Sequence, residues 1–221
     1  MQRAKLTLRP ARPDEAEKLL AFYKGNPDRF LLPRPFDEFR TAIDRGQFLV
    51  LVDGEEIVAA SGVFDYAENL PFVELAETFV SQSIRGFGLQ SVFFNVRIAS
   101  VILYQGPSVR ITTAVDSRNG HSLKTTDRQG FEPWTTPIAA VHSSCPKCPN
   151  KTPERTCCCD FYLLPVNKAR DAVSSLLDET MSGSITLKNK GGGTIEVRCE
   201  CAILAGELRK ALRGFVDGET W

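Results

Sequence analysis

The 221 residues carry 27 Lys and Arg against 27 Asp and Glu, so the net charge is zero, and a hydrophobic fraction of 43% can fill a core. Residues 1–140 hold 16 basic and 17 acidic side chains and the remainder 11 and 10, so no basic half or tail exists. That argues against a chain whose main task is gripping a nucleic-acid backbone. No run approaches the roughly 20 apolar residues of a membrane span, and MQRAKLTLRPARPDEAEKLL lacks the apolar core of a secretion signal. The composition predicts a soluble, cytoplasmic chain of one domain with additions.

Lys5 to Arg9 alternates apolar and polar residues, as a half-buried strand does. Pro13-Asp14-Glu15 then starts a helix, with Leu19, Leu20 and Tyr23 as its apolar stripe. Asn26 to Pro35 is a loop with three prolines, and Phe36 to Asp44 forms a second short helix. Phe48 to Val52, the turn Asp53-Gly54, and Ile57 to Phe64 make a hairpin. Pro71 to Val80 is a strand, Leu89 to Val101 a helix and Val109 to Val115 a strand. A polar helical stretch then runs to Gly130-Phe131, and Thr135 to Val141 reads as a strand. After a cysteine-rich segment come the strand Phe161 to Leu164 and a helix from Asn167 to Met181. Ile185 to Leu187 and Thr194 to Cys201, split by three glycines, read as a second hairpin, and Ala205 to Phe215 as a closing amphipathic helix. The order predicts an α/β (α+β) fold, a mixed sheet with helices on both faces.

Arg85-Gly86-Phe87-Gly88-Leu89-Gln90 joins the strand ending at Val80 to a helix. A glycine turn opening a helix is an anion trap, because first-turn N–H groups lack partners and the dipole is positive there. Further on, Asn119 precedes a helix and Gly130-Phe131 follows it. In this order and spacing the chain resembles the GNAT superfamily of acetyl-CoA-dependent N-acetyltransferases, from about residue 4 to residue 165. The resemblance implies a splayed mixed sheet, with the cofactor's pantetheine arm in the gap and its pyrophosphate on the glycine turn. It carries the cofactor contacts onto Val80 (through its main chain), Arg85, Gly86, Phe87, Gly88, Leu89, Gln90 and Asn119. Gln90 stands where the family has a small residue, and Thr126 where it often carries a general-acid Tyr; Ser122, His121, Tyr104, Asp127 or water are the substitutes. Direct attack of an amine on a thioester also needs a base. Glu74 and Glu77 are the candidates, although a separation of three puts them on opposite sides of a regular strand, and the plain reading of each is a surface charge. Phe30, Phe36 and Phe39 are candidates to line the acceptor pocket.

All seven cysteines follow residue 144. Cys145-Pro-Lys-Cys148 has the knuckle spacing of a zinc site, and Cys157 with Cys159 would close a tetrahedral set. His142, Cys158, Cys199 and Cys201 are alternatives, and disulfides a competing reading. The organisation expected is a GNAT-like domain over 1–165, with a Cys-rich insertion at 142–160, and a helix–hairpin–helix extension over 166–221. The function implied is acetyl transfer from acetyl-CoA to an amine acceptor, with a structural Zn2+. The alternatives are a catalytically weak GNAT-like binding or regulatory module with a zinc-stapled docking loop, and a divergent nucleobase-modifying member.

Overall fold

The computed structural model describes residues 4–31, 34–66, 70–135, 159–180 and 183–218. Nine strands form one mixed sheet: β1 (Ala4–Pro10), β2 (Phe48–Asp53), β3 (Glu56–Asp65), β4 (Phe72–Val80), β5 (Arg110–Asp116), β6 (Glu132–Pro133), β7 (Cys159–Leu163), β8 (Ser184–Lys188) and β9 (Thr194–Cys199). Their order across the sheet is β6-β7-β5-β4-β3-β2-β1-β9-β8. The helices are α1 (Ala16–Gly25), α2 (Phe36–Asp44), α3 (Leu89–Gln105), α4 (Gly120–Arg128), α5 (Val166–Glu179) and α6 (Gly206–Asp217).

The central strands are buried on both faces, and β2 shows why. Phe48, Val50 and Val52 pack with Leu19 of α1 and Phe39 and Ile43 of α2. Leu49 and Leu51 turn the other way, into a core shared with α3, α5 and α6 through Phe93, Val96, Val173, Leu176, Leu212 and Phe215. Side chains of successive strand residues point to opposite faces, so a continuous apolar run demands cover on both. The long helix α3 stops at Gly106, whose φ of +88° and ψ of 164° are open to glycine and end the helix, and whose N–H reaches Ile102 O at 3.1 Å.

The C-terminal hairpin does not stand apart. β9 pairs in parallel with β1, Ala4 opposite Ile195 through Leu8 opposite Cys199, and so continues the same sheet. The expected strand from Thr135 to Val141 lies outside the described residues apart from Thr135; the short β6 before it pairs with β7. The Cys-rich segment, up to residue 158, lies outside them too.

Two irregularities shape the middle of the sheet. Parallel pairing of β4 with β5 covers only Phe72–Arg110, Val73–Ile111 and Glu74–Thr112. Beyond that the strands part, and β5 pairs with β7 as far as Asp116 opposite Cys159. The second irregularity is a bulge: Ala60 opposes Phe79 but Gly62 opposes Ala76, so Ser61 faces both Glu77 and Thr78. Glu77 takes up the extra residue at a φ of +56°, the one left-handed non-glycine among the described residues. Gly62, opposite Ala76 where pairing resumes, is pressed by side chains: a Cβ there would meet the rings of Phe48 and Phe64 at 2.7 Å.

Candidate active site

The parting of β4 from β5 opens a cavity of about 820 Å³. One wall is β4 from Glu74 to Val80, the other runs from Thr113 to Asp116 and on to α4, and the N-terminus of α3 closes the mouth. The loop between α1 and α2 contributes Asp28, Phe30, Leu31 and Arg34.

Both predicted carboxylates face this space. Glu74 and Glu77 are 7% and 8% exposed, so they are buried groups and not surface strand charges. The opposite-sides argument fails because the bulge inserts one residue between them and resets the alternation. Both meet the Arg34 guanidinium: Nη2 lies 2.7 Å from Glu74 Oε2 and Nε 3.4 Å from Glu77 Oε1. Nη1 donates to Glu38 at 3.1 Å, and the guanidinium stacks 4.0 Å over Phe64. Burial alone would lower the pKa of Arg34; the carboxylates of Glu74 and Glu77 outweigh it and raise it. For Glu77 burial dominates. It lifts the carboxyl to about 7, with Arg34 pulling down and the Glu74 charge pushing up. Tyr23, whose own pKa is raised first by burial and then by the charge of Glu77, stays protonated and donates to the Glu77 carbonyl at 2.5 Å.

Beneath the bulge sits a fully buried arginine. Arg97 of α3 donates through Nη1 to Gly62 O at 3.0 Å and Ala76 O at 3.2 Å, and through Nε to Phe93 O at 3.2 Å. Gly62 and Ala76 are the residues at which pairing resumes after the bulge, and the guanidinium supplies donors to both carbonyls. Burial depresses its pKa to about 9.

At the mouth, α3 starts from Gly88 with no side-chain cap. Gly86 and Gly88 have φ of +86° and +80°, which glycine alone adopts freely. Gly88, Leu89, Gln90 and Ser91, at the start of α3, line the cavity together with Arg85, and a helix N-terminus beside a cation suits an anion. Ser81 N–H bonds Val58 O of β3 at 2.9 Å, so by alternation the N–H and C=O of Val80 point to the opposite edge, into the gap. Arg85 Nε donates to that Val80 carbonyl at 2.8 Å. Of the residues expected around the cofactor, Val80, Arg85, Gly86, Gly88, Leu89, Gln90 and Asn119 line the cavity. The Phe87 side chain packs against the main core and is not among the residues lining the cavity. Asn119 also caps α4, accepting from Ser122 N–H at 3.1 Å.

Thr126, His121 and Ser122 line the cavity, whereas Tyr104 is 58% exposed and, like Asp127, lies outside its lining. Of the three phenylalanines proposed for the acceptor side, Phe30 lines the cavity, Phe39 is core and Phe36 is exposed. Sequence reasoning missed Arg34, Tyr23 and Arg97. Arg97 had a signal, a lone cation in the apolar run FFNVRIASVIL; Arg34 had none, because the cavity carboxylates it joins, Glu74 and Glu77, are 40 or more residues away in sequence.

Cys145, Cys148, Cys157, Cys158 and His142 lie outside the described residues. Cys159 lines the cavity. Cys199 ends β9 and Cys201 follows it, six strand spacings from β7, on the order of 29 Å at ~4.8 Å per strand. They therefore cannot share an ion with Cys159. Burial raises the Cys199 thiol to about 11 and the Cys201 thiol to about 12, which holds both as neutral thiols. Among the described residues no group of three or more His, Cys, Asp or Glu is placed to hold a metal, and no helix is long and apolar enough to cross a membrane.

Comparison with known protein families and with curated proteins finds no match. Solved structures do match. Arabidopsis thaliana Naa50, in complex with the bisubstrate analogue CoA-Ac-MVNAL, is 18% identical with a TM-score of 0.51, over 72% of this chain and 95% of that one. A GNAT-family acetyltransferase from Streptococcus pneumoniae is 17% identical at 0.50, over 72% and 96%. A spermidine N-acetyltransferase SpeG chimera from Vibrio cholerae and hSSAT is 11% identical at 0.52, over 74% and 97%. The fold is that of the GNAT acetyltransferases.

Proposed function

From a chain with the GNAT acetyltransferase fold, we propose an acetyl-CoA-dependent N-acetyltransferase in which Glu77 is the general base. The observation that carries this reading is the position of Glu77: a buried carboxyl, raised to about 7, in the opening where β4 leaves β5. A base poised near the working pH is what removal of a proton from an ammonium group requires.

Glu77 takes the proton from the acceptor ammonium, and the freed nitrogen attacks the thioester carbonyl. The Val80 N–H, turned into the gap, is the donor for the developing oxyanion. As the C–S bond breaks, the nitrogen loses its second proton and the leaving thiolate gains one, a net transfer relayed through solvent or a cavity hydroxyl, for which Ser122 and Thr126 are the residues in place. The α3 N-terminus and Arg85 hold the pyrophosphate. Asp28, Glu74 and Glu77 against the single cation Arg34 make the acceptor side acidic. That favours an acceptor arriving as an ammonium ion, such as an aliphatic amine, a lysine or a protein N-terminus, over the neutral amine of a nucleobase. A structural Zn2+ on Cys145, Cys148, Cys157 and Cys159 is part of the proposal, since thiolates at this spacing suit zinc; its role is to staple the loop entering β7.

The test is calorimetric titration of acetyl-CoA into the wild type and Arg85→Glu, with zinc measured on the same preparations. Micromolar binding by the wild type, weakened at least tenfold by the substitution, and one zinc per chain are expected. A folded wild-type protein that binds no acetyl-CoA overturns the enzymatic reading, and a zinc-free protein purified without chelator overturns the staple.

A further inference from the structure

The C-terminal hairpin lies beyond the sequence resemblance, and the sheet shows where it goes. Because β9 runs parallel to β1 and antiparallel to β8, the turn between β8 and β9 projects from the sheet end at which β4 finishes and α3 begins. Its residue Lys190 lines the same cavity as Arg85, Gly86, Gly88 and Gln90.

The turn is built to present that residue. Asn189 N–H bonds Gly193 O at 3.0 Å, Gly193 N–H bonds Asn189 Oδ1 at 2.7 Å, and Gly192 N–H bonds Asn189 O at 3.1 Å. Three bonds to one asparagine fix the tip. Lys190 is exposed and forms no ion pair among the described residues. A lysine on a fixed turn at the edge of a cleft, with its charge unspent, is a point cation for a phosphate.

Coenzyme A carries two phosphate centres, the diphosphate and a 3′-phosphomonoester on the ribose. The α3 N-terminus and Arg85 account for the first in the function proposed above, on which this inference rests. The monoester, with close to two negative charges, favours a further cation at the mouth; besides Lys124 and Arg128 of α4, the lining offers Lys190 from the hairpin. We propose that the β8–β9 hairpin is part of the coenzyme site and that Lys190 pairs with the 3′-phosphate. The hairpin thereby makes the site selective for CoA over its 3′-dephospho form.

The experiment titrates CoA and 3′-dephospho-CoA into the wild type, Lys190→Glu and Arg85→Glu at low and moderate salt. The expected result is tighter wild-type binding of CoA than of 3′-dephospho-CoA. Lys190→Glu should weaken CoA about fivefold or more at low salt, the order expected of an exposed charge pair, and leave 3′-dephospho-CoA unchanged. Arg85→Glu should weaken both. Wild-type affinity of Lys190→Glu for CoA, or an equal loss on both ligands, overturns the Lys190 assignment while leaving the acetyltransferase reading intact. A wild type that binds neither ligand overturns both. Lys190 is exposed on a turn, so the thermal midpoint of Lys190→Glu should match the wild type and show that any loss is not unfolding.

Discussion

Glu77 is held against two local preferences. Its φ of +56° costs about 1–2 kcal/mol for a residue with a side chain, and its carboxyl is buried. Arg34 and the Tyr23 hydroxyl hold it there, one at the side chain and one at the carbonyl. The raised pKa of about 7 has two consequences with opposite signs. As a base, Glu77 acts only when ionised, so kcat/KM should rise with pH through about 7. Glu77→Gln should lower kcat/KM by about 10²–10⁴ and abolish that limb, while acetyl-CoA affinity stays as in the wild type. For stability, the folded state keeps a proton that the unfolded carboxyl, with its ordinary value near 4.5, has already released. Folding stability therefore falls as pH rises from about 4.5 to 7, and what is lost stays lost above 7. Glu77→Gln removes this ionisation, so its thermal midpoint at pH 8 should be equal to or above that of the wild type. A variant that is inactive and no less stable separates a catalytic role from a structural one.

At the scale of elements, the bulge in β4 is what composition and periodicity could not reveal. The glycine turn, both hairpins and the long helix were legible because each is written in local residues: Gly86 and Gly88, Asp53-Gly54, the three glycines after Lys190, and the apolar run from Leu89. A bulge depends on which residue of β3 faces which residue of β4. Glu74 and Glu77 therefore read as opposite-facing until Ser61 is seen to oppose two residues. The burial of Arg97 was signalled by its apolar neighbours but its partners were not, since the carbonyls it satisfies belong to Gly62 and Ala76, on β3 and β4, as well as to its own helix. Gly62 gives the most direct test. Gly62→Ala forces a methyl toward the Phe48 and Phe64 rings, and Phe64 carries the Arg34 guanidinium. Chemical denaturation should show a loss of about 1–3 kcal/mol, typical of an overfilled core.

For the molecule as a whole, the layers match those of the GNAT acetyltransferases even though the relatives named above are 11–18% identical. Many apolar sequences satisfy the same two-faced burial, so a sheet order outlasts the sequence that first produced it. The two ends of the sheet follow different rules. β7 and β6 are reached through nearby chain, whereas β1 finds its outer neighbour about 190 residues away, in β9. Ending the chain before β8 would strip the sheet of Ile185, Ile195 and Val197, three buried residues of the main core, and leave β1 as an open edge. Such a variant should shift toward aggregate relative to the full chain in size-exclusion chromatography.

That parallel pairing of β1 with β9 also sets an order of events. A strand made first must wait, one edge unsatisfied, until nearly two hundred further residues have left the ribosome, which at ~5–20 residues per second is a delay of about 10–40 s. During that interval Leu6 and Leu8 lack the Val197 side of their core, and the unpaired β1 edge is open to any extended segment that passes. The newly made protein is thus a natural client for a chaperone, and its yield in a cell should depend on the time spent before closure more than on the stability reached after it.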